Sequence, residues 1–220
     1  MNNNIERNIT ITLKKAREWY NSGNTSLKEI ALQAFNENEL KSNFRDITSF
    51  SKACEALDIN NNTINIILNR MIKFSRASAA MFKLNIIRKA LNLGQDLHLT
   101  KNPRNSNIYY PYNPFTIENS TYYEGDVNSG IMEVIGKIKA NGIVYNVFGG
   151  CAGRSGYDGL GNLRFYDNVG FANASVGFLG CATKEIAQHF GKYFGMLITE
   201  AKYGDLPDFE IIETKYLWHG

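Results

Sequence analysis

The chain has only three histidines, three cysteines and four prolines among its 220 residues. Each scarcity excludes something. The cysteines, Cys54, Cys151 and Cys181, form no CxxC pair, so neither a disulfide framework nor a zinc site is signalled. Cys151 and Cys181 bracket one segment and could face one another, but reduced, buried thiols are the expectation. No HxxxH spacing and no cluster of acids appears, which leaves no metal site and no cofactor to expect.

Long hydrophobic runs are also missing. "TINIILNRMI" is too short and too interrupted to cross a bilayer, and "MNNNIERNIT" has none of the parts of a secretory leader. The expectation is a protein made as a soluble cytoplasmic product with no membrane partner. The net charge of +3 comes from scattered Lys and Arg rather than from a block of like charges. Nucleic acid is therefore not favoured as a partner, and the Lys-bearing helix faces read as solvated surface.

What is present is a chain of two textures. Residues 10–93 carry apolar positions at helical spacing. "TITLKKAREWYNSGN" has Thr12 as N-cap and Gly23 as stop, and "NTSLKEIALQAF" starts a second helix with Ser26 ahead of Leu27. "FRDITSFSKACEALDI" predicts a third, and "TINIILNRMIKFSRASAAMFKLNIIRKALNLG" one or two more, ending at Gly94. From Gln95 the tyrosines and three of the prolines favour extended and turn structure. "GIMEVIGKIKANGIVYNVFGG" reads as a β-hairpin turning at Asn141-Gly142. "CATKEIAQHFGKYFGMLITEAKYGD" is a long amphipathic helix capped by Thr183, with Ile186, Phe190, Phe194, Leu197 and Ile198 on one side. "FEIIETKYLW" has strand character. The fold class is α+β: a helical docking domain over 1–94, then a β-rich display domain over 95–220.

Between hairpin and helix lies "FGGCAGRSGYDGLGNLRFYDNVGFANASVGFLGC", with nine glycines and no Lys, Glu or Pro. It is not a phosphate loop, because GGCAGRSG matches neither GxxxxGK[ST] nor GxGxxG and no helix opens behind it. Nor is it collagen-like: Gly150, Gly153, Gly156 and Gly159 give too few triplets, and they lack proline. Its two acids, Asp158 and Asp167, are no basis for a glycosidase. A nucleophilic site would join Cys151 or Cys181 to His189, but His189 lies near the apolar side of its helix and reads as structural. A cysteine-dependent enzyme is thus the third reading.

The palette of Gly, Asn, Ser, Tyr, Phe and Arg is that of a binding surface held by fixed ends. The candidate ligand-binding residues are Arg154, Tyr157, Asp158, Arg164, Phe165, Tyr166, Asn168 and Asn173.

Two resemblances add to this. "ITLKKAREWYNSGNTSLKEIALQAF", "KLNIIRKALNLG" and "GFLGCATKEIAQHFGKYFGMLITEAKYGD" resemble a family of small uncharacterised proteins of gut Bacteroides and their crAss-like phages, whose setting implies a virion or host-interaction role. The glycine-rich segment is similar in layout to the C-type-lectin-like variable domains of diversity-generating retroelements, through Gly149-Gly150, Leu163-Arg164 and Val176-Gly177-Phe178. It departs from them at Leu179, where they have Arg, in lacking a tryptophan after the glycine pair, and in the helix that follows.

The leading expectation is a non-enzymatic structural or display protein of phage type. It docks by its helical half, as a homo-oligomer or part of a larger virion assembly, and presents the loop to a host-surface glycan or protein ligand. The alternative is a purely structural virion component, such as a capsid decoration, head-fibre or tail part, with no ligand.

Overall fold

The structure, a computed structural model, describes residues 10–20, 22–41, 43–93, 109–154, 173–174 and 179–218, with backbone alone at 14, 38, 151–154 and 173–174. It divides into two compact units, Met1–Ser42 and Asn43–Gly220.

The first unit holds helices α1 (Leu13–Tyr20), α2 (Thr25–Ala34) and α3 (Glu37–Lys41). Thr12 caps α1, its hydroxyl accepting the Lys15 N–H at 3.3 Å. Gly23, at φ +75°, turns the chain in a conformation that L residues resist. Asn24, not Ser26, caps α2, accepting the Leu27 N–H at 3.1 Å. The helix starts earlier than the apolar pattern implies because the Asn24 side chain already meets its first free donor. Asn36 and Glu39 form a reciprocal capping box at α3, both bonds 2.9 Å. Leu13, Ala16, Ala31 and Leu40 are buried between these helices, with Trp19 and Phe35 packed against them.

The second unit is α+β. It opens with a 3₁₀ turn over Phe44–Asp46, then α4 (Phe50–Ala56), α5 (Asn61–Met71) and α6 (Arg76–Leu91). Ser49, Asn60 and Ser75 cap the three helices, so the single helix expected over "FRDITSFSKACEALDI" is broken at Ser49, whose hydroxyl accepts the Lys52 N–H at 3.4 Å and starts α4. Then follow β1 (Tyr109–Ile117), α7 (Glu124–Asn128), β2 (Glu133–Ala140), β3 (Ile143–Gly149), β4 (Cys151–Arg154), β5 (Asn173–Ala174), α8 (Lys184–Tyr203) and β6 (Glu210–Thr214). β1 pairs with β3, β3 with β2 and β2 with β6, all antiparallel. Asn141 and Gly142, at φ 51° and 74°, make the two-residue turn of the expected hairpin.

Thr183 caps α8 as expected, accepting the Ile186 N–H at 3.2 Å. Its apolar side, with Phe190, Phe194, Leu197 and Ile198 fully buried, joins one core with Leu84 and Ile87 of α6, Ile135 and Ile138 of β2, Val147 of β3 and Phe115 of β1. The C-terminal end returns to the helices, where the Phe50 N–H donates to the Trp218 carbonyl at 3.1 Å. Helices α4–α6 therefore belong with the sheet. The compact units part at residues 42 and 43, not at 94, where the sequence texture changes: texture follows local propensity, whereas the unit follows the shared core. No helix among the described residues is long and apolar enough to cross a membrane.

Candidate functional site

The two ends of the glycine-rich segment are fixed on one strand. β4 pairs with the start of β1, Tyr109 opposite Arg154 and Tyr112 opposite Cys151, while β5 pairs Ala174 and Asn173 with Asn113 and Pro114. Tyr109 has a second partner. Its N–H donates to the Cys181 carbonyl at 3.0 Å and its carbonyl accepts the Cys181 N–H at 2.7 Å. Both backbone bonds of Tyr109 thus point to the Cys181 edge, and Arg154 faces it across the other edge as a non-hydrogen-bonded pair. The chain leaves β1 on one side at Arg154 and is back on the opposite side at Cys181. By the two-residue period of a strand, Pro111 faces the Cys181 edge, where it has no N–H to leave unpaired.

Two asparagines clamp this frame. Asn92, just past α6, donates to the carbonyls of Arg88 (2.8 Å) and Gly180 (3.2 Å) and accepts the Ala182 N–H at 2.8 Å. It ties the returning end to the helical layer. Asn113, fully buried in β1, donates to the carbonyls of Phe148 and Gly191, both at 2.8 Å, so it bridges the departing end to α8. Its Oδ1 is buried without a hydrogen-bond partner among the described residues.

The glycines at this crossing have a packing reason. A Cβ on Gly149 would lie 2.9 Å from the Gly191 carbonyl oxygen and 3.1 Å from Lys192 Cα, and one on Gly195 would lie 2.4 Å from Asn113 Nδ2. Gly150, at φ +95°, makes the step from β3 to β4 that other residues resist.

Arg154 and Asn173 therefore stand at the two feet of the segment, described by their backbones. Tyr157, Asp158, Arg164, Phe165, Tyr166 and Asn168 lie outside the described residues.

One group at the root is invisible to motif reading. Glu133 pairs in register with Gly149. Its carboxylate accepts from Lys192 Nζ at 2.6 Å, from the Tyr216 hydroxyl at 2.9 and 3.0 Å, and from Lys215 Nζ. Burial alone would push Glu133 up, but these three donors outweigh it and hold the carboxyl below its usual value. The same contact raises Lys192 and Lys215. The Tyr216 ring packs on Tyr193 at 4.8 Å, and Lys192 Nζ lies within 5.6–5.8 Å of both rings. The cluster sets two ammonium groups and one carboxylate beside two phenol rings. Its two cations face one carboxylate.

Between β1 and β2, Tyr122 and Ile131 are exposed. Tyr122 meets Tyr123 edge-on at 4.8 Å, and Tyr123 meets Phe148 at 5.2 Å.

Of the two thiols that could pair with His189, Cys151 is described by its backbone alone. Cys181 is a free, buried thiol on the Leu179 carbonyl at 3.6 Å, and burial pushes it up to about 12, far from the thiolate that chemistry needs. Cys54 is likewise free and buried. His189 donates from Nε2 to the Ile47 carbonyl at 2.9 Å, with the Phe44 ring edge-on at 5.5 Å. Burial lowers its pKa, which keeps the ring neutral and structural. No trio of His, Cys, Asp or Glu placed to hold a metal occurs among the described residues.

Compared with protein-family models, with curated proteins and with solved structures, the chain matches none.

Proposed function

We propose that the protein is a non-enzymatic display protein of phage structural type, in which the segment between Arg154 and Asn173 meets a host-surface glycan or protein. The observation that carries this reading is the straddling of β1: the segment starts and ends on either side of Tyr109, with its roots clamped by Asn92 and Asn113. A loop fixed at both feet on a rigid scaffold can vary without disturbing the core, which is the arrangement binding surfaces use. The Glu133–Lys192–Lys215–Tyr216 cluster and exposed Tyr122 extend the surface at the root.

The test is to label the protein fluorescently and measure its binding to an array of bacterial surface polysaccharides and to intact Bacteroides cells. Alanine at Tyr157, Arg164, Phe165 or Tyr166 is expected to weaken binding by about tenfold or more, the loss of an interface anchor, and to leave the melting temperature unchanged. Variants that unfold the protein would mean that the segment is packed core. Wild-type protein that binds nothing, with the segment protected from protease only within an assembly, would replace this reading by the purely structural one.

A further inference from the structure

The surface at the α5–α6 turn combines exposed apolar side chains with charge of one sign. Phe74 is 90% exposed, Ile66 58% and Ile72 50%, where the second unit has ample core to bury them. Residues 59–95 contain six Lys or Arg and no Asp or Glu. Of these bases Arg76 is engaged by Glu200 at 2.9 Å, while Arg70 and Lys73, flanking Ile72 and Phe74, are exposed and make no ion pair among the described residues.

The neighbouring stretch has the opposite composition. Residues 205–213 carry Asp205, Asp208, Glu210 and Glu213 and no Lys or Arg, with Leu206 and Ile212 exposed. Among the described strands β6, which holds Glu210 to Thr214, pairs with β2 alone and so stands at an edge of the sheet. The two patches are locked side by side. Asp205 accepts from the Ser75 hydroxyl at 2.5 Å and from the Ala77 N–H at 3.1 Å, and the Arg76 guanidinium sits over the Phe209 ring at 5.9 Å.

We propose that the α5–α6 turn docks onto the acidic 205–213 stretch of a second copy of the chain, and that the contact is reciprocal. A cationic-apolar patch fixed beside an acidic-apolar one on the same body is self-complementary about a two-fold axis, the form that most homo-oligomers take. Each copy gives its Phe74 and receives the other's. An anionic membrane or a nucleic acid fits less well, because Asp208 and Glu210 would be pressed against a surface of their own sign. This goes beyond the ligand-display reading and does not depend on it.

Sedimentation velocity of the full chain across a concentration series tests the proposal. The wild type is expected to dimerise reversibly, with an association constant falling by about tenfold or more between about 0.05 and about 0.5 M salt. Arg70→Glu with Lys73→Glu, and separately Asp208→Lys with Glu210→Lys, are expected to be monomers. Mixed in equal amounts, the two reversed proteins are expected to re-form a dimer. Phe74→Ser, at a position with no packing to lose, is expected to be monomeric with an unchanged thermal melt. A wild type that stays monomeric at low salt, reversed proteins that still dimerise, or a mixture that fails to recover would each overturn it. Monomeric protein that binds phosphatidylglycerol vesicles would overturn it in favour of a membrane surface.

Discussion

The first unit buries Leu13, Ala16, Ala31 and Leu40, two of them alanines, whereas the core of the second runs through α4, α5, α6, α8 and the long strands of the sheet. The small unit makes up part of the difference with polar ties on its surface. Tyr20 donates to Glu37 at 2.9 Å, Lys41 pairs with Glu37 at 2.8 Å, and the Arg17 guanidinium donates to the Glu39 carbonyl at 2.8 Å. Exposed pairs of this kind contribute little each, and a core of four side chains leaves scant margin over the entropy of ordering three helices. The comparison teaches that the two units differ in how much loss they tolerate, and that the rigid frame around the glycine-rich segment belongs to the tolerant one.

The largest expected effect separates them directly. Phe194→Ala removes a fully buried ring from the centre of α8 and is expected to cost about 3–5 kcal/mol, lowering the main unfolding transition. Leu40→Ala should cost about 2–5 kcal/mol by the same rule, enough to unfold the small unit while the main transition stays in place. Hydrogen exchange followed by mass spectrometry reads both: amides of α1–α3 lose protection in the Leu40 variant alone. A single transition that shifts equally in both variants would show that the units unfold as one.

The next effect concerns the crossing of α8 over β1. Gly195→Ala drives a methyl against Asn113 Nδ2 and Ile135 Cδ1, each 2.4 Å from the new Cβ, and overpacking of this kind costs about 1–3 kcal/mol. Asn113→Ala alone leaves the Phe148 and Gly191 carbonyls without their donor and should cost about 1–3 kcal/mol. In the double variant the methyl enters the space the asparagine vacates, so the combined loss is expected to be smaller than the sum. Additive losses by chemical denaturation would mean that the asparagine is not what the glycine makes room for.

The same crossing shows what was and was not legible in the sequence. The α+β class, the hairpin turning at Asn141-Gly142 and the Thr183 cap are written in local chemistry, and the structure carries all of them. Gly149 and Gly150 open the glycine-rich segment, but Gly149 is small because α8 presses on it, a constraint set by residues more than forty positions away. Nothing in the sequence around Asn113 sets it apart. Its role comes from Phe148 and Gly191 being brought to it by the fold. The change of composition near residue 94 does not reveal that α6 and α8 share a core.

Glu133 is the subtlest member of that class, since Glu133, Lys192, Lys215 and Tyr216 meet only through tertiary structure. Its folded pKa lies below the unfolded value, because the donors of Lys192, Lys215 and Tyr216 more than offset burial. The stability it contributes is therefore present above the unfolded carboxyl value of about 4.3 and is lost as pH falls through the folded value. Glu133→Gln keeps the shape and removes the charge, leaving Lys192 and Lys215 facing each other. The expected cost near neutral pH is about 1 kcal/mol or less, given how far the pair reaches into solvent. Melts of wild type and variant should differ at neutral pH and converge only as the pH falls through the lowered folded value, below which both carry a neutral group. Curves that stay parallel across that range would mean the cluster acts through packing of Tyr193 on Tyr216 rather than through charge, and would withdraw the fixed cation pair from the root of the displayed segment.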